Sequence, residues 1–154
     1  MTSSEKIQSA IAIFVAFLAL FISVWQGCEQ RNHNRLSVKP LLTFDEVTID
    51  KQREIKLSNS GLGPAIIEDF IIRDSSGDYS SSNKNLSFMP LMNARGLMDS
   101  VSWNYYFYTG DVIRAGEDFT ILRWKIKNSE NLNIKIEVKY KSIYNESFEV
   151  VTEF

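Results

Sequence analysis

Six consecutive residues, Trp103-Asn104-Tyr105-Tyr106-Phe107-Tyr108, concentrate the side chains of this 154-residue sequence best suited to holding a ligand. In a β-strand, successive side chains point to opposite faces. Trp103, Tyr105 and Phe107 then share one face and fill a core. Asn104, Tyr106 and Tyr108 share the other, where Tyr106 and Tyr108 are available for stacking on a base or for a subunit interface. Lys84, Arg95 and Arg114 flank the run and supply cations able to pair with phosphates. These five residues, Lys84, Arg95, Tyr106, Tyr108 and Arg114, form the candidate ligand site. Ordinary core and sheet surface accounts for the same aromatic run without any ligand.

Catalytic chemistry is not legible. The single histidine, His33, lies among Arg31 and Arg35 and reads as a solvated residue at a helix end. It cannot build a histidine-based metal site alone, and no CxxC, HExxH or calcium-loop spacing occurs. Asp45, Glu46 and Asp50 lack metal-loop spacing and read as a solvated turn. The expectation is a non-enzyme with no cofactor and no metal. The lone cysteine, Cys28, rules out an intramolecular disulfide, which fits a reducing compartment.

A second pattern lies near the N-terminus. Ser9, Ala12, Ala16, Ala19, Ser23 and Gln26 are spaced alternately three and four apart, a heptad stripe of small or weakly polar residues. Phe14, Phe17, Leu18, Phe21 and Ile22 occupy the other surfaces. Helices in lipid associate through small residues and interhelical hydrogen bonds, because lipid tails are as apolar as leucine. One span per chain means that the stripe must meet another chain, as a dry seam or around a pore. Chance composition is the plain alternative, since alanine and serine are common in membrane helices.

The elements that position these residues follow from hydropathy. The uncharged run from Ile7 to Trp25 covers about 28 Å at ~1.5 Å per residue, near the ~30 Å hydrocarbon core of a bilayer. Trp25 stands where an interfacial aromatic residue belongs. A cleaved signal is disfavoured by Trp25 and Gln26 ahead of Gly27-Cys28. The expected organisation is a tail over 1–6, a transmembrane helix over 7–26, a helical linker over 27–38 and a β-domain over 39–154. Arg31, Arg35 and Lys39 follow the span, whereas Lys6 beside Glu5 precedes it. The positive-inside rule then places the β-domain in the cytoplasm and the N-terminus outside.

The remaining chain, roughly 115 residues, is one domain large enough for its own core. Net charge is −2, so no global basic field gathers nucleic acid. Strand patterns run over 37–44, 54–58, 65–73, 102–108, 119–126, 132–140 and 148–154, with Ile66, Phe70, Trp124, Ile134 and Ile136 in the core. Turns are expected at 74–78 and 145–147. In Asn59-Ser60-Gly61-Leu62-Gly63-Pro64 the glycines permit positive φ. A phosphate cradle there needs a following helix, and none is expected. Residues 75–110 carry a long insertion with a short helix broken at Gly96. The fold class is mainly β: one N-terminal transmembrane helix, then an antiparallel, immunoglobulin-like β-sandwich with a short helical insertion.

His33-Asn34-Arg35-Leu36-Ser37-Val38-Lys39-Pro40 after the span, followed by Asn59-Ser60-Gly61-Leu62-Gly63-Pro64-Ala65-Ile66-Ile67, is similar to a pattern in small bacterial single-span proteins. The likeness covers the span and the first half of the domain. The overall plan also resembles membrane effectors of anti-phage nucleotide-signalling systems. That resemblance implies a bacterial inner-membrane protein whose cytoplasmic domain binds a nucleotide or oligonucleotide and whose assembled spans permeabilise the membrane as a pore or ion channel. The competing expectation is a tethered interaction module that recruits a partner protein through a sheet edge and conducts nothing.

Overall fold

The computed structural model describes residues 3–74, 77–80, 88, 93, 98–125 and 133–154. It divides into two units, Met1–Ser37 and Val38–Phe154.

The first unit is one helix, α1 (Ser3–Leu36). No proline interrupts it, and its apolar residues are helix-compatible throughout. His33 and Arg35 in the last turn complement the negative end of the helix dipole. Ser37 closes that turn, its N–H donating to the His33 carbonyl (3.0 Å) and its hydroxyl to that of Asn34 (2.9 Å). The helix is long and apolar enough to cross a membrane. Strand structure begins only at Leu42, later than the expected start at Ser37.

The second unit is an antiparallel β-sandwich. One sheet has the order β1 (Leu42–Ile49), β2 (Gln52–Asn59), β7 (Asp118–Lys125), β5 (Val101–Asn104). The other runs β4 (Gly77–Ser80), β3 (Ala65–Asp74), β8 (Lys135–Lys141), β9 (Ser147–Glu153). A two-residue strand, β6 (Val112–Ile113), shares the β4 side of β3. Leu42, Ile55, Leu57, Leu122 and Trp124 from the first sheet meet Ile67, Phe70, Ile72, Ile136, Val138 and Tyr140 from the second in one core. Among the described residues there are nine strands where seven are expected, because β4 and β6 are too short to leave a period-two pattern. Of the expected insertion, the described part contains a 3-10 turn, Met98–Ser100; Gly96 lies outside the described residues.

Three register shifts set which side chains point inward. Glu68 is an extra residue in β3 opposite β8, Ile121 in β7 opposite β2, and Ser102 in β5 opposite β7. An extra residue flips the alternation beyond it. In β3 the inward side chains are Ala65 and Ile67 before the bulge, then Phe70 and Ile72 after it. Ile66, expected in the core, is therefore half-buried, and Ile67 takes its place. Phe70, Trp124, Ile134 and Ile136 are buried as expected.

Turn chemistry explains the hairpins. Asp45 and Glu46 belong to β1, and the connection to β2 is Asp50-Lys51, both at positive φ (48° and 65°) as a two-residue type I′ turn requires. The last hairpin turns over Ser142–Glu146, with Asn145 at φ 64°. Asp74 pairs with Gly77 at the β3–β4 turn, whose residues 75–76 lie outside the described ones.

The loop 59–64 does something its glycines do not announce. Neither Gly61 nor Gly63 has positive φ; each is small because backbone passes against it. A Cβ on Gly61 would meet the Lys39 carbonyl oxygen at 2.6 Å, and one on Gly63 would overlap the Val38 carbonyl. Asn59, fully buried, ties the same region together. Its amide nitrogen donates to the carbonyls of Gly63 (2.8 Å) and Ile113 (3.0 Å). Its amide oxygen accepts from the N–H groups of Leu41 (3.2 Å) and Gly61 (3.0 Å). Two further backbone bonds, Ser60 N–H to Leu41 O (2.8 Å) and Leu62 N–H to Lys39 O (3.0 Å), complete a latch over residues 38–41, the first of the sandwich unit.

Candidate functional site

The aromatic run is a strand only as far as Asn104. Because Ser102 is the extra residue, Trp103 sits opposite Arg123 on the outer face of its sheet. Its indole N–H donates to the Thr120 carbonyl (3.0 Å), fixing the ring while half of the residue (51%) stays exposed. Beyond the strand, the Tyr105 N–H donates to the carbonyl of the bulged Ile121 (2.7 Å), so the chain still follows β7. Tyr105 stacks on Phe119 (centroids 5.9 Å apart, planes 18°). Phe107 meets both rings edge-on, at 5.1 and 5.3 Å, and is itself buried in the core against Phe70. The aromatic surface is thus braced from beneath by core packing.

Trp103, Tyr105, Asp118, Phe119, Thr120 and Arg123 line an open groove of about 480 Å³. Arg123 forms an ion pair with Glu54, its Nε 2.7 Å from Oε1 but without hydrogen-bond geometry, so the attraction is electrostatic rather than directional. Glu54 is 8% exposed although it lies on an outer sheet face, and Lys56 Nζ stands 3.9 Å from its other oxygen. A charge so far removed from water must be paired, and these two cations do it. The terminal nitrogens of Arg123 have no partner among the described residues. A half-exposed guanidinium with both terminal nitrogens free beside an exposed indole and a stacked phenol can hold a planar ring and an anion together.

The residues singled out from sequence fall elsewhere. Tyr106 is half-buried against the core, and its ring meets Tyr108 edge-on at 5.4 Å. Tyr108 is exposed, with its N–H donating to Asp111 Oδ2 (2.8 Å). Its hydroxyl pKa is raised, chiefly by the hydrogen bond to Tyr106, with the Asp111 charge adding to the effect. A carboxylate beside this pair opposes an anion there. Arg114 points into solvent and is engaged by Glu117, which accepts from both its N–H (2.9 Å) and its Nη1 (3.0 Å). The Glu117 carboxyl is held below its ordinary pKa first by that backbone N–H, then by the side chain. Lys84 and Arg95 lie outside the described residues. Sequence reading missed Phe119 and Arg123, and took Trp103 as core. Only the bulges at Ser102 and Ile121 decide these orientations.

On α1, Ser9, Ala12, Ala16, Ala19, Ser23 and Gln26 are all exposed. The Ser23 hydroxyl donates to the Ala19 carbonyl (2.8 Å), which satisfies the donor within the helix and leaves the oxygen able to accept. Among the described residues no group of three or more His, Cys, Asp or Glu side chains is placed to hold a metal. Comparison with known proteins brings no match to this chain: no family model, no curated protein and no solved structure.

Proposed function

We propose that this chain is a homo-oligomeric, single-pass membrane effector whose cytoplasmic β-sandwich binds a small anionic ligand with a planar ring, of the nucleotide or oligonucleotide class. The helix, anchored in a bacterial inner membrane, associates with its copies and responds by letting ions pass, an arrangement suited to anti-phage defence. The observation that carries the ligand reading is the hydrogen-bonded, exposed indole of Trp103 opposite the ion-paired, half-exposed guanidinium of Arg123. Stacking on an aromatic side chain is worth about 1–3 kcal/mol per base. Trp103→Ala should therefore weaken nucleotide binding by roughly tenfold to a hundredfold, and Arg123→Gln by a comparable factor. Titration of the full chain in micelles with mono- and oligonucleotides, followed by intrinsic fluorescence, measures this. Equal affinity for wild type and both variants removes the site.

The membrane half has its own checks. Ala16→Leu with Ala19→Leu should break self-association, since bulky side chains prevent close helix approach; leucine at Phe14 should not. Crosslinking in membranes together with ion flux in liposomes reads both. With Cys28 replaced by serine, a cysteine at the exposed Ile143 should be shielded from an impermeant thiol reagent in intact cells. Labelling there reverses the orientation drawn from Arg31, Arg35 and Lys39. A stable oligomer that passes no ions with any nucleotide favours the second reading, a tethered module that recruits a partner protein; the open edge of β9 is what speaks for it.

A further inference from the structure

Among the described residues, strand β9 ends its sheet with no strand on its far side. Its hydrogen-bond phase follows from Ile134 and Phe154, which exchange both backbone bonds (3.0 and 2.9 Å). In an antiparallel ladder such pairs recur at every second residue. With Ile136 opposite Thr152, Val138 opposite Val150 and Tyr140 opposite Phe148, the even-numbered residues commit their backbone groups to β8. The N–H and C=O groups of Ser147, Glu149, Val151 and Glu153 therefore point away from the sheet. All four residues are exposed, and among the described residues nothing bonds to these groups.

The opposite side of the sandwich is blunted in the ways that prevent edge pairing. There β5 is four residues long and bulged, β4 has four residues and β6 two. β9 has seven residues, no bulge, no proline and no lysine.

We propose that β9 pairs with β9 of a second copy, antiparallel about a two-fold axis at Val150. This adds a second contact to the self-association proposed above, and rests on that reading only in that two copies meet. Outward groups bond only to outward groups, so odd-numbered residues must face odd-numbered ones. Centring the axis on Glu149 or Val151 sets Glu149 against itself or against Glu153, and like charges directly opposite are destabilising. Centring on Phe148 or Thr152 leaves outward groups unpaired. Centring on Val150 sets Ser147 against Glu153 and Glu149 against Val151, twice each. Every outward group is then bonded and no glutamate faces a glutamate. Lys135, 3.3 Å from Glu153, further offsets the negative charge of the edge. On the inner face Val150 meets Val150 and Phe148 meets Thr152, covering side chains that one copy leaves half-buried.

Two measurements on the purified full chain in micelles test it. Amide exchange on the wild type should show the N–H groups of Glu149, Val151 and Glu153 as protected as those of Val150 and Thr152. In a Cys28→Ser background, Val150→Cys should form an interchain disulfide, because the non-bonded pair at the axis brings its Cα atoms about 4.5 Å apart, within disulfide range. Glu149→Cys should not, since its twin sits two positions away. Exchange of the odd-numbered amides at loop rates overturns the pairing, and needs no variant to fold. Protection without the Val150 link means another register and overturns it equally, as does linking of both variants alike. Oligomers that persist while β9 stays unprotected leave the helix association standing and this strand out of it. Loss of oligomers in the Ala16→Leu, Ala19→Leu chain with β9 still protected does the reverse.

Discussion

Gly63→Ala is expected to lower the melting temperature of the chain by roughly 10–20 °C, from a loss of about 3 kcal/mol or more in a domain of this size. The added methyl group would overlap the Val38 carbonyl, and what it meets is backbone, with no flexible side-chain end to swing away. Relief requires moving the loop. That pulls the Gly63 carbonyl from the Asn59 amide, a buried group that makes three of its four hydrogen bonds within this latch and the fourth to Ile113. Each buried polar group left without a partner costs about 1–3 kcal/mol. Gly27→Ala is the control: nothing lies within 4 Å of the Cβ it would add, so the sandwich should melt as before. A Gly63→Ala chain that melts within about 2 °C of wild type would show that residues 38–41 are not clamped by this loop.

Ile136→Ala is the second large expected effect, about 2–5 kcal/mol. Ile136 is wholly buried on β8, between Ile72 of β3 and Thr152 of β9, so neighbours on both sides hold the cavity open. A pair of adjacent isoleucines sharpens the test. Ile67→Ala should cost nearly as much, whereas Ile66→Ala, half-exposed, should cost below about 1 kcal/mol. Denaturant midpoints of the three variants in micelles give the comparison. Equal losses at Ile66 and Ile67 would remove the bulge at Glu68 and shift the register of β3 by one residue.

The apolar helix, the strands with clean alternation and the hairpin after Tyr140 are determined by the sequence itself. Each depends on local spacing: an uncharged run from Ile7 to Trp25, and the two-residue period through Ile134, Ile136, Val138 and Tyr140, which the structure places inside. Alternation is a reliable guide only while a strand stays in phase. Tertiary pairing inserts Glu68, Ser102 and Ile121 as extra residues, and nothing in their own chemistry marks them. Those shifts turn Ile67 inward in place of Ile66, and put Trp103 and Arg123 together on the outer face. They also leave Tyr106 half-buried where alternation exposed it. The loop glycines are visible in the sequence, but their reason is not. Positive φ is a local property, whereas the approach of Val38 and Lys39 to Gly63 and Gly61 joins segments more than twenty residues apart and exists only once the chain has folded back on itself.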